Sequence, residues 1–224
     1  MDTRLEIKDL FDLEHTRAAS LFEGARYPWE VLGKIKGYIL QLGATLSPEE
    51  FDHPAEDIWI AKDAKVAPTA CLNGPLIVDS GAEIRHCAFV RGSAIVGKGA
   101  VVGNSVELKN CVLFDGVQVP HFNYVGDSVL GWKAHMGAGS VTSNVKSDKR
   151  NIVIHAGEGI ETGLRKIGAM LGDRVEVGCN SVLNPGTVIG RDCIVYPTSC
   201  VRGVIPEAHI YKDAGNIVPR KERN

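Results

Sequence analysis

The sequence predicts a mainly β protein built as a parallel β-helix of hexapeptide repeats over residues 53–210, with a helical segment over 1–52, a β-hairpin inserted at 145–166 and a tail over 211–224. Three observations point there. A large apolar residue recurs every sixth position, at Ile60, Val66, Leu72, Val78, Ile84, Val90, Val96, Val102, Leu108 and Phe114, with Pro120 next. The fourth residue after each is mostly small, as at Ala64, Ala70, Ala82, Ala88, Ala94 and Ala100. Gly, Asp or Asn often follows the large residue, which suits a tight corner. A helix does not hold a period of six, and an up-and-down sheet needs longer strands. Three such strands close a triangular coil of about 18 residues with the aliphatics stacked inside. Roughly seven coils at strand spacing make a prism about 34 Å tall.

Taken in order, Leu13 to Phe22 reads as a short helix with Gly24 close to its end. A second helix starts near Pro28 and runs through Trp29, Val31, Leu32, Ile35, Tyr38, Ile39 and Leu42, an apolar stripe spaced at threes and fours. That stripe must dock, as a cap or a subunit contact. Residues 1–50 hold no glycine-rich phosphate loop after a first strand, as a nucleotide-transferring domain would show there. After a shift of register the repeat reappears at Leu130 and Met136, then at Leu171, Val177, Leu183, Ile189, Val195 and Val201. Between Thr142 and Lys166 it fails; 151–155 and 160–164, around Ala-Gly-Glu-Gly159, read as a hairpin pushed out of a corner. A long excursion from a regular solenoid tends to be functional. The repeat ends at Ile205-Pro206, and the charged end of the tail is expected to be mobile.

The chain has 224 residues, 44% of them hydrophobic, enough for a sizeable core. Its 25 basic and 27 acidic residues leave a net charge of −2, so no basic field advertises nucleic acid or an anionic membrane. It opens without an apolar signal segment and has no run long enough to cross a bilayer, which makes the cytoplasm the expected compartment. Six cysteines without a CxxC pair read as buried free thiols rather than a zinc cage or a redox motif. A zinc site of three histidines is not expected, because His86 and His121 have suitable spacing but Gly126 stands where a third ligand is needed.

Four segments depart from the plain repeat: Phe89-Val-Arg-Gly92, Gly103-Asn-Ser-Val-Glu-Leu-Lys109, Pro120-His-Phe-Asn-Tyr-Val-Gly-Asp127 and Met136-Gly-Ala-Gly-Ser-Val-Thr-Ser-Asn144. Arg91 and Lys109 lie a whole coil apart, so they stack about 4.8 Å from backbone to backbone and could seat one phosphate, a fork beside a point charge. His121 follows a large-residue slot, so its ring should project outward, where an imidazole suits general base chemistry.

In order and spacing these segments resemble the C-terminal acetyltransferase domain of the bifunctional enzyme that makes UDP-N-acetylglucosamine. The resemblance runs from about Phe89 to Ile194 and includes Leu171-Gly-Asp-Arg-Val-Glu-Val-Gly178. It implies a left-handed coil, a cytoplasmic homotrimer with sites at subunit boundaries, and acetyl-CoA as cosubstrate with no metal. It implies an amino-sugar phosphate as acceptor, glucosamine-1-phosphate first. His121 would take the amine proton and Glu107 would orient that histidine, though Glu107 could equally be a solvated side chain. Arg91, Lys109 and Tyr124 would hold the phosphate and Asn144 the sugar; Tyr124 could equally pack and Asn144 turn the backbone. Backbone N–H groups of the Gly137-Ala-Gly139 corner, with Ala138 at the matching position, would receive the oxyanion, and Cys179 stands where a serine is usual, lining the pantetheine path. His135 replaces an asparagine that touches the acceptor, and Lys149 or Arg150 only approximate a loop lysine, so the acceptor could differ. The competing expectation is a non-catalytic trimeric scaffold or regulatory subunit beside a separate sugar nucleotidyltransferase.

Overall fold

Short strands that alternate in and out cannot bury an apolar side alone, so like strands of successive coils stack in parallel. The structure, a computed structural model, describes residues 4–221 and shows this stacking on three faces. The first face carries Leu76–Val78, Ala94–Val96, Ala169–Leu171 and Thr187–Ile189, joined by the C-terminal halves of two long strands, Glu107–Leu113 and Tyr124–Leu130. The second carries Phe89–Val90, the N-terminal halves of those two strands, Val141–Thr142 and Val182–Leu183. The third is a nine-stranded sheet that includes Val101–Asn104, Gln118–His121, His135–Met136 and Glu176–Val177. The parallel β-helix expected from the hexads is therefore present, with Val78, Val96, Val102, Leu108, Leu130, Met136 and Leu171 fully buried.

One corner departs from the counted register. Leu108 pairs a whole coil on from Val90, but Cys111 pairs with Ala94 and Leu113 with Val96, a spacing one residue shorter. Gly92 and Ser93, both at positive φ, turn this corner in one coil, and Asn110 alone, at φ 49°, turns it in the next. From there the inward residues are Leu113 and Val119, not Phe114 and Pro120 as the strict period predicts. Phe114 instead occupies a corner place that neighbouring coils give to Gly97, Gly131 and Gly172. It points out of the prism to meet Phe11 and Phe22, with ring centroids 5.2 and 5.8 Å away.

The N-terminal segment lies along the side of the prism. Leu10 O accepts from Asp173 N (3.0 Å), His15 O from Asp115 N (3.0 Å), and Arg17 forks onto Asp79 (2.7 and 2.9 Å), so the segment crosses from late coils to early ones. It covers the first face, whose strands are buried at every position, as in Leu76-Ile77-Val78 and Ala94-Ile95-Val96. The apolar stripe of the second helix docks here through Ile35 and Ile39, both 0% exposed. The expected helix over Leu13–Phe22 is instead two 3-10 turns, Leu13–His15 and Ala19–Phe22. Thr16 is extended between them so that Arg17 can reach Asp79. The second helix runs Ile35–Gly43 after a 3-10 turn at Pro28–Val31.

The inserted hairpin forms as expected, with Val153–Ile154 antiparallel to Ile160–Glu161. Ile152 and Ile154 are fully buried, over Gly186, where a Cβ would strike Ile152. The tail is more ordered than its composition suggests. His209–Asp213 pairs in parallel with Ile194–Val195 and antiparallel with Asn216–Pro219. Tyr211 is its anchor, buried and donating to Cys200 O (2.9 Å). Residues 222–224, the end of that charged stretch, lie outside the described range.

Near this end Arg174 grips Asp192 with two bonds (2.8 and 2.7 Å) and holds its carboxyl below the ordinary range. A depressed carboxylate pKa adds stability above the unfolded-state value, lost as pH falls through the folded-state value. Asp192→Asn is expected to cost about 0.5–1 kcal/mol at pH 7, discounted for solvent exposure. Urea melts at pH 7 and at about pH 3 check it, since the gap from the unsubstituted protein should close at the lower pH.

Candidate active site

The shortened corner builds the polar centre. Asn110 and Asp127 stack as single-residue corners, both at φ 49°. Asp127 is 4% exposed and is met from every side. Lys109 Nζ donates to both of its oxygens (3.0 and 2.9 Å), Asn110 Nδ2 donates to Oδ1 (2.9 Å), and Asn144 Nδ2 donates to Oδ2. A buried carboxylate is tolerated only with this degree of pairing. Asn110 Nδ2 also reaches Leu32 O (3.2 Å), which ties the N-terminal segment to this corner.

Residues flanking the inward positions of the second face point outward, so Arg91, Glu107, Lys109 and Tyr124 share one surface. Arg91 and Lys109 are on neighbouring strands in register, as the eighteen-residue spacing predicts. Each already holds a carboxylate, because Arg91 Nη1 donates to Glu107 Oε1 (2.9 Å) and Lys109 holds Asp127. Glu107 thus faces Arg91, and its expected bond to His121 is not what its carboxylate makes. Tyr124 folds over Gly126, where a Cβ would collide with the phenol, and its hydroxyl accepts from Asn144 Nδ2 (3.2 Å). Burial, then the charges of Asp127 and Glu107, push the phenol pKa up, so Tyr124 stays a neutral hydrogen-bonding group.

His121 sits on the edge between the third and second faces, in register with Asn104, its ring exposed as expected. In the next coil Gly139 N donates to His121 O (3.0 Å), and Asn180 N donates to Ala138 O (2.8 Å), so His121, Ala138 and Cys179 form one column. Of the corner amides considered for an oxyanion, Gly137 N is spent on Val177 O (2.7 Å) and Gly139 N on His121 O. Ala138 N donates to no protein acceptor among the described residues. Cys179 is exposed on the column, as Cys71, Cys87 and Cys200 are elsewhere, so of the six thiols expected to be buried only Cys111 and Cys193 are.

His135 is not brought to this group. It aligns with Gln118, three residues before His121 and so roughly 10 Å along the strand. Its Nδ1 lies 2.9 Å from Glu176 Oε2 beside a cavity of about 510 Å³.

Three contributors were not assigned from sequence. Asp127 and Asn110 form the charged corner, and Asn123, 2% exposed, holds the histidine loop. Its Oδ1 accepts from His121 N (3.1 Å) and its Nδ2 donates to Gly137 O (2.8 Å). The signal for Asp127 and Asn123 was their place inside Pro120–Asp127; for Asn110 it was only a missing residue in the period.

The class that the fold and this surface define is the hexapeptide-repeat β-helix, here with a polar cluster on one face and an exposed histidine at its edge. Residues 72–214 match the family described as GMPPB C-terminal domain, and the chain belongs to that family. It is 28% identical over 217 residues to the bifunctional protein GlmU of Methanococcus maripaludis, covering 88% of this chain and 49% of the relative. It is 32% identical over 230 residues to a bifunctional sugar-1-phosphate nucleotidylyltransferase/acetyltransferase of Sulfurisphaera tokodaii, covering 93% of this chain and 57% of the relative. The chain thus spans about half the length of the curated relatives it matches. Among solved structures, the acetyltransferase domain of PglB from Neisseria gonorrhoeae, in complex with acetyl coenzyme A, aligns at 17% identity with TM-score 0.34, covering 73% of this chain and 57% of that one, too distant to bear on the site.

Proposed function

We propose that the chain is an acetyl-CoA-dependent N-acetyltransferase acting on an amino-sugar phosphate, with glucosamine-1-phosphate as the first candidate acceptor. The observation that carries this reading is the unpartnered Ala138 N–H, among the described residues, in the same column as the exposed His121, one edge away from the Arg91, Lys109, Tyr124 and Asn144 cluster. The name of the Sulfurisphaera tokodaii relative, which joins nucleotidylyltransferase to acetyltransferase, supports the class of reaction.

In this reading the acceptor amine attacks the thioester carbonyl while His121 takes its proton. The carbonyl oxygen becomes an oxyanion facing Ala138 N–H, and the carbon–sulfur bond breaks to release CoA thiolate, which takes the proton from His121 and returns the imidazole to its neutral form. Direct transfer needs no cysteine nucleophile. The acceptor phosphate would share Arg91 and Lys109 with Glu107 and Asp127, and Tyr124 and Asn144 would bond the phosphate and sugar. Acetyl-CoA would lie along the column past Gly139 and Cys179, and a homotrimer would complete sites at subunit boundaries. A cytoplasmic location fits these small-molecule substrates.

The scaffold reading has one observation in its favour: both cations are already neutralised by carboxylates, so the face carries no spare positive charge. Release of CoA thiol from acetyl-CoA with glucosamine-1-phosphate separates the two. Turnover by the unsubstituted chain, with Lys109→Met raising KM for the acceptor about tenfold or more, supports the enzyme. Acetyl-CoA binding without turnover on any amino-sugar phosphate sinks it in favour of the scaffold.

A further inference from the structure

A cavity of about 490 Å³ opens on the far side of Asp127 from His121, between the N-terminal segment and the inserted hairpin. Leu32, Val145 and Leu164 give it apolar walls, and Lys149, Arg165 and Lys166 bring three cations to its rim. None of the three has a carboxylate within ion-pair distance among the described residues. That sets them apart from Arg91, Lys109, Arg174 and Lys146, each already matched to an acid. Asp127, the acid on the cavity floor, is neutralised from the other side by Lys109. The cavity therefore carries net positive charge against apolar walls.

That combination selects a ligand. A lone hexose phosphate presents hydroxyls on most of its surface and would find few partners on Leu32, Val145 and Leu164. A planar heterocycle can lie on such walls while a diphosphate meets three cations, and the volume is in the range that encloses a ligand of that size. We propose that this cavity binds a nucleoside diphosphate group, most simply the diphosphate end of a nucleotide-linked amino sugar. The sugar would then extend past Asn110 and Asn144 to the Tyr124 surface, and such an acceptor would stand in place of glucosamine-1-phosphate, with its phosphates in the cavity rather than on Arg91 and Lys109. The inference rests on the acetyltransferase reading only for the direction in which the sugar points. The insertion leaves the coil after Asn144 and returns at Ile167, whose N–H donates to Asn144 O (3.1 Å), so the cations hang directly beside the polar corner.

CoA also contains an adenosine diphosphate, so the test separates the two sources. Titrate the full chain with UDP, GDP, ADP and inorganic phosphate by calorimetry, in the absence of acceptor and again with saturating CoA, and repeat with the double variant Arg165→Gln/Lys166→Gln. The proposal expects at least one nucleoside diphosphate to bind at least tenfold more tightly than phosphate, unaffected by CoA, and at least tenfold more weakly in the double variant. Loss of binding when CoA is present would hand the cavity to CoA and overturn the assignment. So would full binding by the double variant, or no binding of any diphosphate at millimolar concentration. CoA release with glucosamine-1-phosphate, followed in the same variant, reads the acetyltransferase proposal separately, since neither residue belongs to the cluster assigned to that reaction. Circular dichroism of the double variant guards against misfolding, and the surface position of both residues makes folding of the variant expected.

Discussion

Replacing His121 by alanine is expected to lower the rate of CoA release by about 10² to 10⁴, the usual contribution of a positioned general base. In barrier terms this is about 3–5 kcal/mol. The loss should fall on kcat, with the affinity for acetyl-CoA unchanged, because the ring makes no hydrogen bond among the described residues and its backbone is held independently. His121 N donates to Asn123 Oδ1 (3.1 Å) and its carbonyl accepts from Gly139 N (3.0 Å), so truncation of the ring leaves the column standing. His121→Asn should fail nearly as badly, since an amide cannot take the amine proton. Steady-state rates beside a CoA titration check both variants, and activity within tenfold of the unsubstituted chain would remove His121 from the base role.

Phe114→Ala is expected to cost about 3–5 kcal/mol, the range for emptying a fully buried aromatic site. Phe114 is among the largest fully buried side chains, and its ring meets Phe11 and Phe22 where other coils turn on glycine. No neighbouring side chain can follow the shrinkage easily, because the corner backbone is locked to the coils on either side through Phe114 N–Leu130 O (2.9 Å) and Gly97 N–Leu113 O (2.9 Å). The melting temperature should fall by roughly 6–20 °C. Amides of Leu10 to Leu32 should lose protection first in hydrogen exchange, while those facing the prism axis hold. Unchanged exchange in that segment would show that the three aromatic rings do not secure it.

The prism was legible because its physics is local and repeated. An inward aliphatic every six residues needs no knowledge of distant contacts, and the stacking of Arg91 on Lys109 follows from counting alone. The hairpin was legible for the converse reason, as a break in a strict period with glycines at its turn. Counting failed where one residue was missing. Phe114 is apolar and sits on the period, so nothing in its chemistry separates an inward aliphatic from an outward aromatic; only the pairing of Leu113 with Val96 decides. The same slip hid the corner role of Asn110. The contact of Glu107 with Arg91 was not legible, because side-chain rotamers set it and the repeat does not fix them. Leu13–Phe22 failed for a tertiary reason: Arg17 reaches a fully buried Asp79, and that contact outweighs helix propensity.

The N-terminal segment changes what kind of object the solenoid is. In an array whose repeats touch only their neighbours, stability is a sum of nearest-neighbour couplings, and end repeats can melt while the middle survives. Here Leu10 bonds Asp173 and Arg17 bonds Asp79, so coils almost a hundred positions apart in sequence share one tether. Such a long-range coupling makes the array melt as a block, and loosening one end is felt at the other. The polar corner at Asp127, bonded to the same segment through Asn110 and Leu32 O, inherits that rigidity even though it lies at mid-length, where a free solenoid would be most able to bend.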